Sequence, residues 1–348
     1  MMKIITKVHT IFLLIGPTES GKTTFAKEVL MPQLAFQEEQ KNFQTNIQHL
    51  SSDDMRRELL GRDYDKYAAS MLEASGVTFP YLKTKLDFLT SYPINAEFVI
   101  VDTIGLAEDF RQEIKTIADK NNYRVEAVVF DYSRADFYAS ERSKVLITKH
   151  VDRFKREVLP KLAKEDYDAV HRIKQKDFQE FCVEVDNKEE YLATLLSNHQ
   201  DYAVIGDVHE SLLGLKKIVS KLGYRVSDEE MTVSGKKPFS LILLGDWIDK
   251  GNQTTEMIEF LYRNQHHFQF VLGNHENFVY RYLKGEIKGT DQETLDQHFT
   301  SLKYLKKEPE TLKKFNQLVE QSQPFLRRIG DEKQSFIVTH APCRQQYL

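Results

Sequence analysis

The sequence predicts a two-domain α/β protein, and three observations predict it. The chain has 348 residues, enough for two cores at the usual ~150 residues per domain. Short apolar runs of strand length alternate with helical stretches through both halves. Six of those runs end in an Asp, Asn or His, and ligands bind just beyond the carboxyl ends of strands in open α/β sheets.

Composition narrows the class. With 41% hydrophobic and 29% charged residues and only 15 Gly and 9 Pro, the chain is a folded globular protein rather than a disordered or fibrous one. Its longest apolar run, 11–15, cannot span a bilayer, and no signal-peptide pattern opens the sequence, so a cytoplasmic location without a membrane partner is expected. Cys182 and Cys343 form no CxxC and no disulfide framework, which suits a reducing compartment and inert thiols. A net charge of −4 argues against a long nonspecific grip on nucleic acid while leaving room for a local basic track.

In the N-terminal half the runs 11–15, 98–102 and 125–131 read as strands. Between the first of these and a helix expected over 24–30 lies Gly16-Pro17-Thr18-Glu19-Ser20-Gly21-Lys22-Thr23, a GxxxxGK[ST] phosphate-binding loop. Its glycines let backbone N–H groups turn inward around phosphates, and the helix N-terminus adds partial positive charge. Gly16, Ser20, Gly21, Lys22, Thr23 and Thr24 are therefore the candidate nucleotide-binding residues, with ATP and Mg²⁺ as the expected cofactors; Lys22 reaches the β/γ-phosphates and Thr23 can ligate Mg²⁺. Asp102 ends its strand in the manner of a Walker-B acid that holds Mg²⁺ directly or through water, a helix cap being the competing reading.

The acceptor side is read from Ser51-Ser52-Asp53-Asp54-Met55-Arg56, after an apolar run at 47–50. Asp53 can accept the proton of an attacking hydroxyl, and Arg56, one helical turn on, can hold an anionic group of the acceptor. Taken alone, the same pattern also fits a capped helix with solvated charges. Further on, 128–131 leads into Arg134, Glu141, Arg142, Ser143, Lys144 and Arg153, a basic stretch in which Arg142 is the candidate lid arginine for the transferring phosphoryl group.

GPTESGKTTF, SSDDMR, VDTIGL, VVFDYSRADFYASER and EDYDAV resemble the kinase domain of the bacterial polynucleotide kinase-phosphatases, RNA end-healing enzymes. The resemblance implies that Lys22 and Thr23 bind ATP·Mg²⁺, Asp53 is the general base, Arg56 binds the acceptor phosphate and Arg142 belongs to the lid. Thr103-Ile104 departs from the family, which more often has small residues and an Asn there.

In the C-terminal half four runs end in Gly206-Asp207-Val208-His209, Gly245-Asp246-Trp247-Ile248-Asp249, Gly273-Asn274-His275-Glu276 and Thr339-His340. A two-metal phosphoesterase needs such a set: Asp207 and His209 for one ion, Asp246 bridging, Asn274 and His340 for the second, the ions about 3.5–4 Å apart. His275 is placed to protonate the leaving alkoxide, with Asp249 orienting it. The other histidines, including His9, His49, His150, His171, His199, His266 and His267, read as surface or structural. Residues 280–323 read as a helical insertion.

This half resembles the calcineurin-like metallophosphoesterases, with Mn²⁺ or a similar divalent metal implied. It is nearest to the phosphatase module of the same end-healing family, with Glu210 where DxHG is commoner and Lys250 where the family has an arginine. The family also has a further metal histidine downstream, so the 348-residue chain reads as C-terminally shortened with a weakened second ion. The expected organisation is a P-loop NTPase-type parallel sheet over 1–175, a connector at 176–198 and a calcineurin-like α/β sandwich over 199–348. The expected function is phosphorylation of 5′-hydroxyl ends and removal of 2′/3′ phosphates, with RNA or DNA ends and nucleoside triphosphate as substrates and a ligase as partner. A nucleotide-binding regulatory protein with an inactive phosphatase module, and a protein or nucleotide phosphatase fused to a small-molecule kinase, are the alternatives.

Overall fold

The computed structural model describes residues 2–65, 68–131, 144–235, 237, 239–330 and 335–342. They fall into two compact units, one of 1–39 and 43–191, the other of 40–42 and 192–348.

The first unit is built on a five-stranded parallel sheet in the order Ile47–Ser51, Phe98–Asp102, Thr10–Ile15, Arg124–Phe130, Ala169–Ile173. A parallel sheet has helices on both faces, so its central strands are apolar throughout rather than alternating. Thr10–Ile15 and Phe98–Asp102 are accordingly buried at every residue. Ile11, Leu13, Val99, Val101, Val125 and Ala127 pack against Leu82, Leu86, Ile114 and Phe154 from the helical layers. Each fully buried Leu, Ile or Phe stabilises by about 1.5–3 kcal/mol.

The helix expected at 24–30 is part of a longer helical run, Lys22–Thr24, Phe25–Leu30 and Met31–Leu34 in succession. Ser52–Leu60 is a true capped helix: Ser51 Oγ accepts the Asp54 N–H at 3.2 Å, and Gly61 ends it in the left-handed conformation at φ 65°. The stretch expected as a connector is ordered. Phe181–Val185 pairs in parallel with Met2–Thr6, and Lys188–Thr194 is helical.

The second unit has a three-stranded parallel sheet, Asp201–Ile205, Phe239–Leu244, Phe268–Val271, with the antiparallel pairs Arg225–Ser227/Thr232–Ser234 and Leu326–Arg328/Phe336–Val338. The expected helical insertion starts earlier than its apolar periodicity suggests, at Asn274, and comprises Asn274–Leu283, Gln292–His298, Leu302–Leu305 and Pro309–Gln321. Trp247, Met257, Phe260, Leu261, Phe315 and Leu318 form its core, with the Trp247 and Phe315 rings 5.7 Å apart. No helix among the described residues is long and apolar enough to cross a membrane.

Candidate active sites

At the carboxyl end of strand Thr10–Ile15 the chain turns through the phosphate-binding loop. Gly16 sits so close to Phe130 that a Cβ there would lie 2.9 Å from the Phe130 Cβ, and Gly21 takes φ 80° at the helix start. The Lys22 ammonium folds back over the loop and donates to Gly16 O at 3.1 Å, Pro17 O at 2.6 Å and Ser20 Oγ at 3.3 Å. Ser20 Oγ in turn donates to Pro17 O at 2.9 Å. Thr103 and Ile104, the departure from the family pattern, support this loop: Thr103 Oγ1 accepts the Gly105 N–H at 3.1 Å, and Ile104 O accepts the Gly16 N–H at 3.1 Å.

Thr23 Oγ1 donates to Asp102 Oδ2 at 2.6 Å, and His49 Nε2 lies 3.1 Å from the same oxygen. Burial pushes the Asp102 carboxyl up, but the His49 and Thr23 donors and the Lys22 charge outweigh it and hold it below the usual carboxylate range. A hydroxyl and a carboxylate in contact at the foot of a phosphate loop are hard oxygen donors of the kind a divalent cation takes. Asp53 Oδ1 accepts from Arg56 at 2.7 Å; Arg56 also donates to Ser75 Oγ at 3.3 Å and lies 5.5 Å from the Phe79 ring centre. Ser20, Gly21, Lys22, Thr23, Thr24, Asp53, Arg56 and Asp102 all line one cleft of about 450 Å³.

Two histidines support this cleft, His49 through Asp102 and His150 from its lining. His49 and His150 are not incidental surface histidines: His49 holds Asp102, and His150 Nδ1, from the helix Lys144–Arg153, meets Thr18 Oγ1 of the phosphate loop at 2.8 Å and lines the same cleft. Arg142, the expected lid arginine, lies outside the described residues, as do Arg134 and Glu141. Arg153 is spent locally, on Glu157 at 3.0 Å.

In the second unit Asp207, His209 and Asp246 present ligand atoms all within 4.8 Å of one another. Three details fit a cation there. His209 Nδ1 donates to Ile248 O at 3.2 Å, which leaves Nε2 as a lone pair, and Lys250 Nζ, a cation, donates to it at 3.0 Å. His340 Nδ1 donates to Leu244 O at 2.6 Å, which turns its Nε2 to within 2.9 Å of Asn274 Oδ1, side by side as two ligands of one metal would stand. Asp246 has one oxygen toward each half: Oδ1 lies 3.4 Å from His340 Nε2, and Oδ2 lies 3.8 Å from His209 Nε2.

Close backbone approach builds this cluster. A Cβ at Gly273 would lie 2.2 Å from Asp246 N, and one at Gly245 would lie 2.4 Å from Gly273 Cα. The fully buried Glu276 clamps the same loop, accepting from the N–H groups of Asp246 at 2.8 Å, Trp247 at 2.8 Å and Ile248 at 3.1 Å. Burial pushes its carboxyl up to about 7 against the pull of those donors. His275 Nδ1 bonds Asp249 Oδ2 at 2.8 Å, and Asp249 Oδ1 accepts the Ser301 N–H at 2.7 Å. That bond to Asp249 is the main cause of a raised His275 pKa. Glu210 and Glu276 stand inside the motifs, but no role could be read for them there because they hold the loops that carry the ligands.

Residues 11–163 match the model of the AAA domain, and residues 201–344 that of the calcineurin-like phosphoesterase. Curated relatives include the bis(5′-nucleosyl)-tetraphosphatase PrpE [asymmetrical] of Bacillus anthracis, 31% identical over 159 residues, 42% of this chain and 59% of that protein. The protein of the same name from Bacillus thuringiensis is 30% identical over the same shares. The chain thus spans 59% of the length of these relatives. Among solved structures, the Mycobacterium tuberculosis APS kinase CysC in complex with AMPPNP and APS overlaps 50% of this chain and 95% of its own at 14% identity and TM-score 0.30, a likeness too loose to carry a conclusion. The chain joins a P-loop domain of the AAA kind to a calcineurin-like phosphoesterase domain.

Proposed function

We propose that the protein heals nucleic-acid ends, phosphorylating 5′-hydroxyls with ATP in its first unit and removing 2′/3′ phosphates in its second. The observation that carries the reading is the Asp53–Arg56 pair in the same cleft as Lys22, Thr23 and Asp102, a base and an anion holder facing a phosphate loop. A hydrolytic nucleotide switch has no use for an acceptor-side pair of this kind.

In the kinase step Asp53 takes the proton of the 5′-hydroxyl as that oxygen bonds to the γ-phosphorus; the β,γ-bridging P–O bond breaks and ADP leaves. Arg56 holds the acceptor's phosphate, and Lys22 exchanges its carbonyl partners for β/γ-phosphate oxygens. Mg²⁺ bound at Thr23 and Asp102 would neutralise charge on the nucleotide. For the phosphatase step, Asp207, His209, Asp246, Asn274 and His340 are the residues that would hold divalent ions such as Mn²⁺, which supply Lewis-acid activation. His275 Nε2–H gives its proton to the departing ester oxygen as a water oxygen bonds to phosphorus and the ester P–O bond breaks, the water shedding its proton to solvent while Nδ1–H stays bonded to Asp249.

Transfer of labelled γ-phosphate to a 5′-hydroxyl RNA oligonucleotide, scored beside release of phosphate from a 3′-phosphorylated one, tests both halves. No transfer to any oligonucleotide by protein that binds ATP overturns the kinase reading. A second reading for the phosphoesterase rests on the activity that the Bacillus relatives are named for: cleavage of a bis(5′-nucleosyl) tetraphosphate in preference to a 3′-phosphate end.

A further inference from the structure

Glu210 breaks two local rules at once. It is 2% exposed, and it takes φ 61°, a left-handed conformation that glycine adopts at no steric cost. A buried carboxylate is costly unless it is hydrogen-bonded, and Glu210 is: Oε1 accepts the Asp249 N–H at 2.9 Å and the Thr254 hydroxyl at 2.6 Å, and Oε2 accepts the Gln253 N–H at 3.0 Å. Its own N–H donates to Trp247 O at 3.1 Å. The side chain therefore brackets the loop 249–254 at both ends, and that loop is itself strained: Asp249 at φ 64° and Lys250 at φ 59° are consecutive left-handed residues that are not glycine. Gly251 is packed so tightly against the bracket that a Cβ there would lie 2.6 Å from the Glu210 Cβ.

The loop held in this way carries Asp249, fully buried, whose carboxylate fixes His275. We infer that Glu210 is a positioning residue for leaving-group protonation: by pinning the Asp249 backbone it sets the Asp249–His275 hydrogen bond and aims His275 Nε2. This rests on the phosphoesterase reading above, with His275 as the proton donor. Glu210 touches neither substrate nor the reacting atoms; its effect passes through Asp249. The proton given up by His275 Nε2 ends on the ester oxygen as a water oxygen bonds to phosphorus and the ester P–O bond breaks; the proton that water sheds passes to solvent, and inorganic phosphate is the other product.

A purely structural role would lower hydrolysis of every ester alike, so the test uses two leaving groups on the full chain with Mn²⁺ added. An alkyl phosphate needs a proton to leave, whereas p-nitrophenyl phosphate departs as a stabilised phenolate. Glu210→Gly suits the backbone conformation and removes both acceptor oxygens and the three hydrogen bonds they take; it is expected to cut kcat on the alkyl ester by about 100-fold, the scale of a misaimed catalytic group, with p-nitrophenyl phosphate nearly unaffected. Glu210→Gln, which keeps one acceptor oxygen, is expected to fall between Glu210→Gly and wild type. The downfield proton NMR signal of His275 Nδ1–H supplies a readout independent of turnover, present in the wild type and lost in Glu210→Gly. Equal losses on both esters, or a retained signal and full alkyl activity in Glu210→Gly, overturn the inference while the phosphoesterase reading stands. A wild type inactive on both esters overturns that reading and the inference with it.

Discussion

Asp53 and Arg56 are bound to each other across one helical turn, carboxylate to guanidinium at 2.7 Å, with Ser75 and Phe79 fixing the arginine from its other side. In the proposed kinase step, a carboxylate held this way would need no reorganisation to face an acceptor. Asp53→Ala and Lys22→Ala are each expected to reduce 5′-phosphorylation at least ~100-fold, while Asp207→Ala leaves it intact because the two chemistries use separate residues. Phosphoryl transfer measured beside circular dichroism checks this. Near-normal transfer by a folded Asp53→Ala protein would move the base assignment to Asp54.

His49 shares one Asp102 oxygen with Thr23. Removing it leaves Asp102 free to turn away from the Thr23 hydroxyl, so His49→Ala is expected to raise the Mg²⁺ concentration needed for half-maximal ADP binding by about 10-fold, within the range for loss of a partner that orients a ligand. Binding of ADP in the absence of Mg²⁺ is expected to stay at the wild-type level. Calorimetric titration at several Mg²⁺ concentrations separates the two terms.

The ligand cluster of the second unit makes a prediction that does not involve turnover. Mn²⁺ titration of the wild type is expected to show binding, and Asp246→Asn is expected to weaken it by more than the ~10–100-fold typical of losing an outer partner. Asp246 faces both His209 and His340, so a single substitution is expected to affect every bound ion rather than one. An unchanged isotherm in Asp246→Asn would remove it from the metal set.

Arg111 and Glu165 form a buried pair in the first unit: Arg111 Nε donates to Glu165 Oε2 at 2.8 Å, a second guanidinium nitrogen donates to Oε1, and the Tyr167 hydroxyl donates to Oε2 at 2.7 Å. Burial pushes the Glu165 carboxyl up, and these donors pull it further down, so its folded pKa lies below the ordinary value. A depressed carboxylate contributes stability above its unfolded pKa of about 4.3, and that stability is lost as pH falls through the folded pKa. Glu165→Gln leaves Arg111 buried and uncompensated and is expected to cost about 3–5 kcal/mol at neutral pH. Thermal unfolding between neutral and acid pH is expected to show the gap between wild type and Glu165→Gln narrowing below about pH 4.

Much of both sites was legible because their residues stand at strand ends in contiguous motifs. Lys22 and Thr23 follow a glycine loop, and Asp207, Asp246 and Asn274 each close an apolar run, so pattern and position coincide. His49 was not legible because its partner is chosen by sheet register. Ser51 pairs with Asp102 and His49 with Ile100, and two-residue alternation turns His49 and Ser51 to the same face as Asp102. Reading that face required knowing which strand lies beside 47–51. His150 was hidden for a related reason, since a helix more than 100 residues away in sequence brings it to Thr18. The stretch 176–198 read as a connector because its polar composition hides a short edge strand, Phe181–Val185, whose partner Met2–Thr6 lies at the other end of the unit.

The contact between Gly245 and Gly273 has an evolutionary corollary. Where two loops meet backbone to backbone, with a Cβ at Gly273 only 2.2 Å from Asp246 N, neither position can drift even to alanine without parting the loops. The ligands around them are under a different constraint, because an Asp, Asn or His can be exchanged at fixed backbone geometry. Under selection for a new metal preference, codons 245 and 273 are therefore expected to stay fixed while neighbouring ligand codons change, and a library randomised across both loops would recover glycine at these two positions first.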